Sequence, residues 1–380
     1  MRILLVTPGM QPPWVDGRIT SLRALAEALV AKGVAVQVLT TGGGAESQRP
    51  YRENGVDYEV LPGGSRGNWF RLLRRFWQMA SRARTDQAVY RPFAGFNATN
   101  IVSVFSLRLL SLLRRVPFNL SLWGGPEQLL KVPWLFSTII VSSKVGVTSP
   151  KVLPIPPLVD MKPVRAANWG VNPLRQYGFA ASDRVCLFTY CGKVNVDSLW
   201  RYTLEQRGLG DLIEAAAHLR EMRDLKFLVS IPVLATRDGR ERLTDLLRAR
   251  SVEDRFVMTS AIDNLAEVLS AVHAYLYPVN IDEPSWAPIS MLEALACGTA
   301  VVTTCTPIIR EFMSSEEVLM YEPGKPDQLS QLIRLVTQDR KAVDALTARG
   351  REKVIACNSS GGVADQILSV LQLSAPPVHV

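Results

Sequence analysis

The sequence predicts an α/β protein made of two doubly wound parallel-sheet domains. Three observations carry this. The first forty residues read strand, loop, helix, strand. In the second half, six continuous apolar runs alternate with helical stretches. Between the two patterns lies a segment with three prolines in five positions. Continuous apolar runs suit parallel strands buried on both faces, and parallel neighbours require crossover connections.

Taken in order, "RILLVT" (2–7) is the first strand and "PGMQPPWVDGR" (8–18) a loop by its Pro and Gly content. "ITSLRALAEALVAKG" (19–33) has helical spacing and ends in Gly33, a C-cap. "VAVQVLT" and "GVDYEVLP" read as strands, and "NWFRLLRRFWQMASRAR" (68–84) as a helix. "FNLSLWG" and "TIIVSS" are short strands between loops, and "VLPIPPLVD" (152–160) is a linker. Beyond it "VCLFTY", "LKFLVSI", "RFVMTS", "AYLYPV", "AVVTTC" and "VLMYEP" are strands, with helices such as "LGDLIEAAAHLREM" and "QLSQLIRLVTQ" between them. The expected division is residues 1–160, 161–358, and a C-terminal helix and tail over 359–380 that packs back on the first domain. Two such domains hold a ligand at the carboxyl ends of their strands.

Composition narrows the class. The 380 residues are 47% hydrophobic and 21% charged, which excludes disorder, collagen and coiled coil. Five cysteines without paired short spacings argue against a disulfide framework or a structural zinc site. The longest apolar run, "IVSVFSLRLLSLL", is broken by Arg108 and is too short to cross a bilayer. The opening segment has too short an apolar core for a signal peptide. The expected location is the cytoplasm or the cytoplasmic face of a membrane. The net charge of +8 is unevenly spread: between Arg66 and Lys131 stand eleven basic residues against Asp86 and Glu127. A block holding all the excess charge points to an anionic partner there.

The second half carries a specific resemblance. "YCGK…EQRGLGDLIEAAAHL", "IDEPSWAPISMLEALACGTAVV" and "YEPGKPDQL" resemble, in order, the donor-half motifs of the retaining glycosyltransferases of family four. The loop and helix after the first strand, and "VLPIPPLVD", are similar to that family's opening glycine loop and interdomain segment. The resemblance covers nearly the whole chain, with "LEALACGTAVV" its most specific part. It implies the GT-B fold, in which two Rossmann-like domains face each other across a donor and acceptor cleft. It also implies transfer of a hexosyl group from a nucleotide-diphosphate sugar.

The residue roles that follow are those the resemblance implies. Negative charge grows on the β-phosphate as the glycosidic bond breaks, and fixed cations aimed at it stabilise the transition state. The two cations are Lys193, where the family usually has Arg, and Arg207, where it usually has Lys. Lys193 keeps the charge and loses bidentate geometry. The spacer between them is longer than usual, so Arg201 is an alternative phosphate ligand. Gly17 belongs to the first-domain loop facing the donor, where a missing side chain admits backbone N–H groups. Glu293 accepts hydrogen bonds from the ribose hydroxyls, with Met291 and Leu292 beside it at the start of the same helix. The sugar-contacting Glu falls on Ser285 in an ungapped alignment and on Glu283 if two residues are inserted. Glu283 is preferred because Pro284 follows it.

Two departures bear on the acceptor side. The family's first-domain loop histidine is replaced by Trp123, which either stacks on a sugar or fills the core; Tyr90 is a second acceptor-side candidate. His218, His273 and His379 are the only histidines, and none lies in the first domain. A front-face retaining reaction tolerates that, because the leaving phosphate oxygen takes the acceptor proton. No Asp-x-Asp motif accompanies the phosphate site, so no cofactor and no essential metal are expected.

In the helix over 68–84, Trp69, Leu72, Leu73, Phe76, Trp77 and Ala80 form one apolar face, with Arg71, Arg74, Arg75 and Arg82 opposite. The arginines are a solvated face of a helix packed on the sheet or meet an anionic membrane, and the two readings coexist where the apolar face packs inward while the arginines meet headgroups. No nucleic-acid recognition motif accompanies them. The sequence therefore reads as a glycosyltransferase acting on a glycan or lipid-linked acceptor in cell-envelope or polysaccharide biosynthesis. A non-catalytic relative that binds a nucleotide sugar or serves as a partner subunit is the alternative.

Overall fold

In a computed structural model, residues 1–8, 17–41, 50–62, 66–81, 84–92, 98–123, 127–143, 147–166, 172–189, 200–281 and 287–373 are described. They fall into two units. The first holds Met1–Leu158 and the stretch from Ser359 onward; the second holds Val159–Asn358 apart from a short segment ending at Ala287.

The first unit contains an eight-stranded sheet. Its strands are β1 (Arg2–Pro8), β2 (Ala35–Thr41), β3 (Tyr51–Glu53), β4 (Val56–Leu61), β5 (Gln87–Tyr90), β6 (Phe118–Ser121), β7 (Ile139–Val141) and β8 (Val152–Pro154). Their order is β3-β4-β2-β1-β5-β6-β7-β8, and only the β3–β4 pair is antiparallel. The helix Gly17–Ala31 makes the crossover from β1 to β2. It ends as the sequence predicts: Gly33 takes φ +79°, and the N–H groups of Gly33 and Val34 return to the carbonyls of Val30 and Leu29. Gly17 is the first residue of this helix rather than part of the preceding loop, which corrects the expectation for it. The hairpin of β3 and β4 turns on Asn54 and Gly55, both at positive φ. The last helix, Ser360–Leu373, buries Val363, Ala364, Ile367 and Leu371 in the same core as β1 and the first helix. Gln87 at the start of β5 donates to the Leu371 carbonyl at 2.6 Å.

The second unit has six parallel strands: β9 (Arg184–Thr189), β10 (Leu225–Ser230), β11 (Phe256–Thr259), β12 (Ala274–Tyr277), β13 (Ala300–Thr304) and β14 (Leu319–Tyr321). Their order is β11-β10-β9-β12-β13-β14. Six of the apolar runs read from the sequence form these six strands. Arg255 is buried and serves structure alone, donating to the carbonyls of Ala216, Leu219, Arg220 and Met222 where the helix Leu209–His218 ends.

The basic helix is Arg66–Met79, shorter than the sequence suggests. Its apolar face does pack inward: Phe76 and Ala80 are fully buried, and Leu72 and Leu73 lie against the same core. Trp77 is half-buried, with the Arg114 guanidinium 3.6 Å from its ring centroid. The Trp69 side chain and Arg82 lie outside the described residues. Arg71 and Arg74 are exposed, whereas Arg75 is half-buried. It pairs with Glu59 of β4, donating from Nη2 at 2.6 Å.

Candidate functional site

The strand order of the second unit reverses between β9 and β12: one neighbour follows β9 in sequence and the other comes three strands later. At such a switch point, connections on either side of the gap diverge and leave a crevice at the carboxyl ends of the strands. The nominated donor residues map onto those two connections. Lys193 follows β9, and Arg207 precedes the next helix. Glu283 and Ser285 follow β12, and Glu293 lies in the helix after them. Lys193, Glu283 and Ser285 lie outside the described residues.

The described side of the crevice is held by hydrogen bonds to main-chain carbonyls, two of them from threonine hydroxyls. Thr303 and Thr304 of β13 donate to the carbonyls of Tyr277 and Val279, at 3.0 and 2.5 Å, and so steer the chain leaving β12. Asn280 then donates its N–H to Gln206 at 2.8 Å. Next to it, Gly208 takes φ +72° and lies against Pro278. A Cβ on Gly208 would stand 2.0 Å from the Pro278 carbonyl oxygen. The chain around Arg207 is thus pinned to the end of β12. Its N–H donates to Tyr202 at 3.0 Å, and its guanidinium lies 5.2 Å from the Tyr202 ring centroid. Arg201, the alternative phosphate ligand, is engaged elsewhere: its Nε meets both oxygens of Glu205 at 2.9 and 3.0 Å on an exposed surface.

Glu293 is the fifth residue of the helix Ile289–Ala296 and is half-buried. Burial, with the nearby charge of Asp160 adding to it, pushes its carboxyl up to about 7. Met291 and Leu292 are fully buried, so their side chains cannot touch a donor. Met291 retains only its main chain for that purpose. The Leu292 N–H is donated to Pro288 at 3.1 Å, which removes Leu292 from the donor contacts.

Because the fold favours the protonated Glu293, the stability this adds is complete below pH 4.5, its ordinary value, and is lost as pH rises through about 7. Glu293→Gln carries no charge at any pH. It is expected to melt higher than the unsubstituted protein at about pH 8, with the gap shrinking toward pH 4.5. Thermal melts across that range check this; a gap that ignores pH would show that the carboxylate charge is not what the fold resists.

Both acceptor-side candidates belong to the core of the first unit. Trp123 is 1% exposed and donates its Nε1–H to Ile155 at 3.1 Å. A ring with no exposed face cannot stack on a sugar, so of the two readings of Trp123 the core-filling one holds. Tyr90 is also buried, packs on Phe118 at 6.2 Å between centroids, and has its hydroxyl pushed up to about 12 by burial. Arg91, which sequence reasoning misses as a site-lining residue, is buried directly after β5 and donates to the Trp123 carbonyl at 3.1 Å. A lone Arg directly after a short strand is the only signal that marks it.

The histidines are structural where described. His273 accepts the Val185 N–H at 3.2 Å, and burial lowers its pKa. His218 meets Asp327 at 2.9 Å. His379 lies outside the described residues. Among the described residues, no group of three or more His, Cys, Asp or Glu is placed to hold a metal ion.

Two family models match the chain: the glycosyl transferase 4-like domain over residues 17–145 and glycosyl transferases group 1 over 201–353. The second half of the chain is thus similar to the group 1 glycosyltransferases, and the first half to the glycosyl transferase 4-like domain. No curated protein matches it by sequence. Among solved structures, HepE of Anabaena, in complex with UDP and glucose, aligns at a TM-score of 0.72 and 15% identity, covering 98% of this chain and 100% of that one. Sucrose-phosphate synthase of Thermosynechococcus elongatus aligns at 0.72 and 18% identity, covering 98% of each. WaaG, a glycosyltransferase involved in lipopolysaccharide biosynthesis, aligns at 0.62 and 14% identity, covering 98% of this chain and 99% of that one. These likenesses establish the fold of the chain as GT-B.

Proposed function

We propose that this chain transfers a hexosyl group, with retention of configuration, from a nucleoside-diphosphate sugar to a glycan or lipid-linked acceptor at the cytoplasmic face of a membrane. The observation that carries the reading is the pinning of Arg207 beside the end of β12, at the switch point of the second sheet. The UDP and glucose bound by HepE support the donor class, and the role of WaaG in lipopolysaccharide biosynthesis supports a lipid-linked acceptor.

In this reading Arg207 and Lys193 meet the diphosphate. As the bond from the anomeric carbon to the β-phosphate oxygen breaks, both cations stabilise the charge on the departing oxygen, which is work a metal ion performs elsewhere. The acceptor hydroxyl attacks from the same face. Its oxygen bonds the anomeric carbon, and its proton passes to the departing phosphate oxygen, so no enzyme base is required. Glu293 accepts from the ribose hydroxyls. Glu283 orients the sugar, which leaves Ser285 a minor role.

The test is a donor panel with candidate acceptors, in which turnover forms a product of the donor's own anomeric configuration. Glu283→Gln is expected to impair transfer far more than Ser285→Ala, with nucleotide affinity little changed. The opposite ranking would put Ser285 at the sugar. Tight donor binding without turnover on any acceptor would leave the chain a nucleotide-sugar binder.

A further inference from the structure

The outer face of the helix Ala98–Arg114 is apolar and uncovered among the described residues. Val102, Phe105, Leu109, Leu112 and Leu113 follow one another at i, i+3, i+7, i+10 and i+11, and each is between 43% and 61% exposed. That spacing confines them to a stripe roughly 100° wide. The opposite face is already used, with Val104, Leu107 and Ser111 buried in the core of the first unit. The sequence therefore spends apolar residues on both sides of this helix, and among the described residues only one side has a partner within the unit. Isolated exposed leucines are common on soluble proteins, whereas a continuous row marks an interaction surface.

The row is extended by an aromatic and flanked by cations. Trp134, 62% exposed, stands 5.9 Å from the Phe105 ring. The basic helix Arg66–Met79 packs beside Ala98–Arg114 and presents Phe70, 73% exposed, next in sequence to the exposed Arg71, with the exposed Arg74 one turn on. Arg115 and Lys131 are exposed as well. Of the two acids in the charged block, Asp86 is bonded to Arg2.

We propose that this face docks the protein on an anionic lipid bilayer, with the apolar row and Trp134 entering the interface and Arg71, Arg74 and Lys131 meeting the headgroups. A leucine-rich helical face with Phe and Trp and a margin of like charge matches the interfacial pattern. Two copies meeting through the same face would set their cations against each other. The inference deepens the reading of a lipid-linked acceptor and rests on it, and it places the apolar contact on Ala98–Arg114, since the apolar face of the basic helix is occupied by the core.

The experiment is vesicle co-sedimentation with the full chain, using phosphatidylcholine alone and phosphatidylcholine with phosphatidylglycerol, at low and high salt. The unsubstituted protein is expected to bind the anionic vesicles and to weaken with salt. Arg71→Ala with Arg74→Ala and Lys131→Ala is expected to lower that partition by roughly a hundredfold. Leu109→Glu with Leu112→Glu should abolish binding at either salt while leaving the melting temperature unchanged. Ile355→Glu, an exposed apolar site in the second unit, should leave binding as it was. Equal binding by the double-glutamate variant, or binding indifferent to lipid charge, would overturn the proposal. So would a dimer in the unsubstituted protein that the double-glutamate variant dissolves, without any vesicle binding, because the face would then join two copies. Donor turnover on a panel of water-soluble and detergent-solubilised acceptors, without vesicles, separates the two ideas, since its absence defeats the transferase reading and leaves the docking result intact.

Discussion

Arg207→Ala is expected to lower donor turnover by roughly tenfold to a hundredfold, since an oriented charged contact contributes about 1.5–3 kcal/mol. Lys193→Ala should fall in the same range if the two cations share the β-phosphate. The melting temperature should move little, because the structural work around Arg207 is done by backbone groups: its own N–H to Tyr202 and the Gln206 carbonyl to Asn280. Arg207→Lys should recover part of the loss, because the charge returns while the guanidinium fork and its place over Tyr202 do not. The loss should fall on the chemical step more than on donor affinity, since the charge being stabilised grows only as the bond breaks. Steady-state rates with a fixed acceptor, read beside donor affinity from calorimetry, decide the matter. Unchanged rates in both alanine variants would remove the clamp, and an effect confined to affinity would make the pair a binding feature.

Much of the fold was legible because parallel strands buried on both faces announce themselves as continuous apolar runs. All six strands of the second sheet did so. The misses share a cause, which is that the deciding contact lies far away in sequence. β5 is only four residues long and opens with Gln87, a residue that reads as exposed. In the structure it is buried, bonding the Leu371 carbonyl and accepting from Asn119 at 2.9 Å. The proline-rich segment read as a linker begins with a strand, β8, whose three residues pair with β7.

The site was legible in a different way. The motifs fixed the order of the donor residues along the chain, and the sheet topology explains why that order matters: the residues fall on the two connections flanking β9 and β12. What sequence could not supply was burial. Trp123 and Tyr90 have the chemistry to contact a sugar but no exposed surface with which to do it, and Arg75 spends its charge on Glu59. Residue type alone cannot separate a core tryptophan from a stacking one.

Among the described glycines of the second unit, Gly208 is expected to tolerate alanine least. The residue sits at φ +72°, where an alanine is strained by about 1–2 kcal/mol. The decisive term is steric. The new Cβ would lie 2.0 Å from the Pro278 oxygen and 2.8 Å from its carbonyl carbon, and backbone cannot rotate aside as a side-chain end can. Either the start of the helix Leu209–His218 or the segment leaving β12 must move. The first displacement carries Arg207 with it. The second breaks the Asn280 bond to Gln206 and shifts the chain that runs on to Glu283 and Ser285. Both routes disturb the donor site, so turnover should fall by roughly a hundredfold or more, consistent with the cost of misplacing catalytic groups by about 1 Å. The melting temperature should fall as well. Gly33→Ala provides the comparison, because Gly33 has a similar φ of +79° but nothing within 4 Å of its Cβ position. That variant bears the backbone strain alone, so a fall of a few degrees with unchanged turnover is expected. If the two alanine variants behave alike in both measurements, contact with Pro278 is not what requires glycine at 208, and the pinning of Arg207 to the end of β12 loses its support.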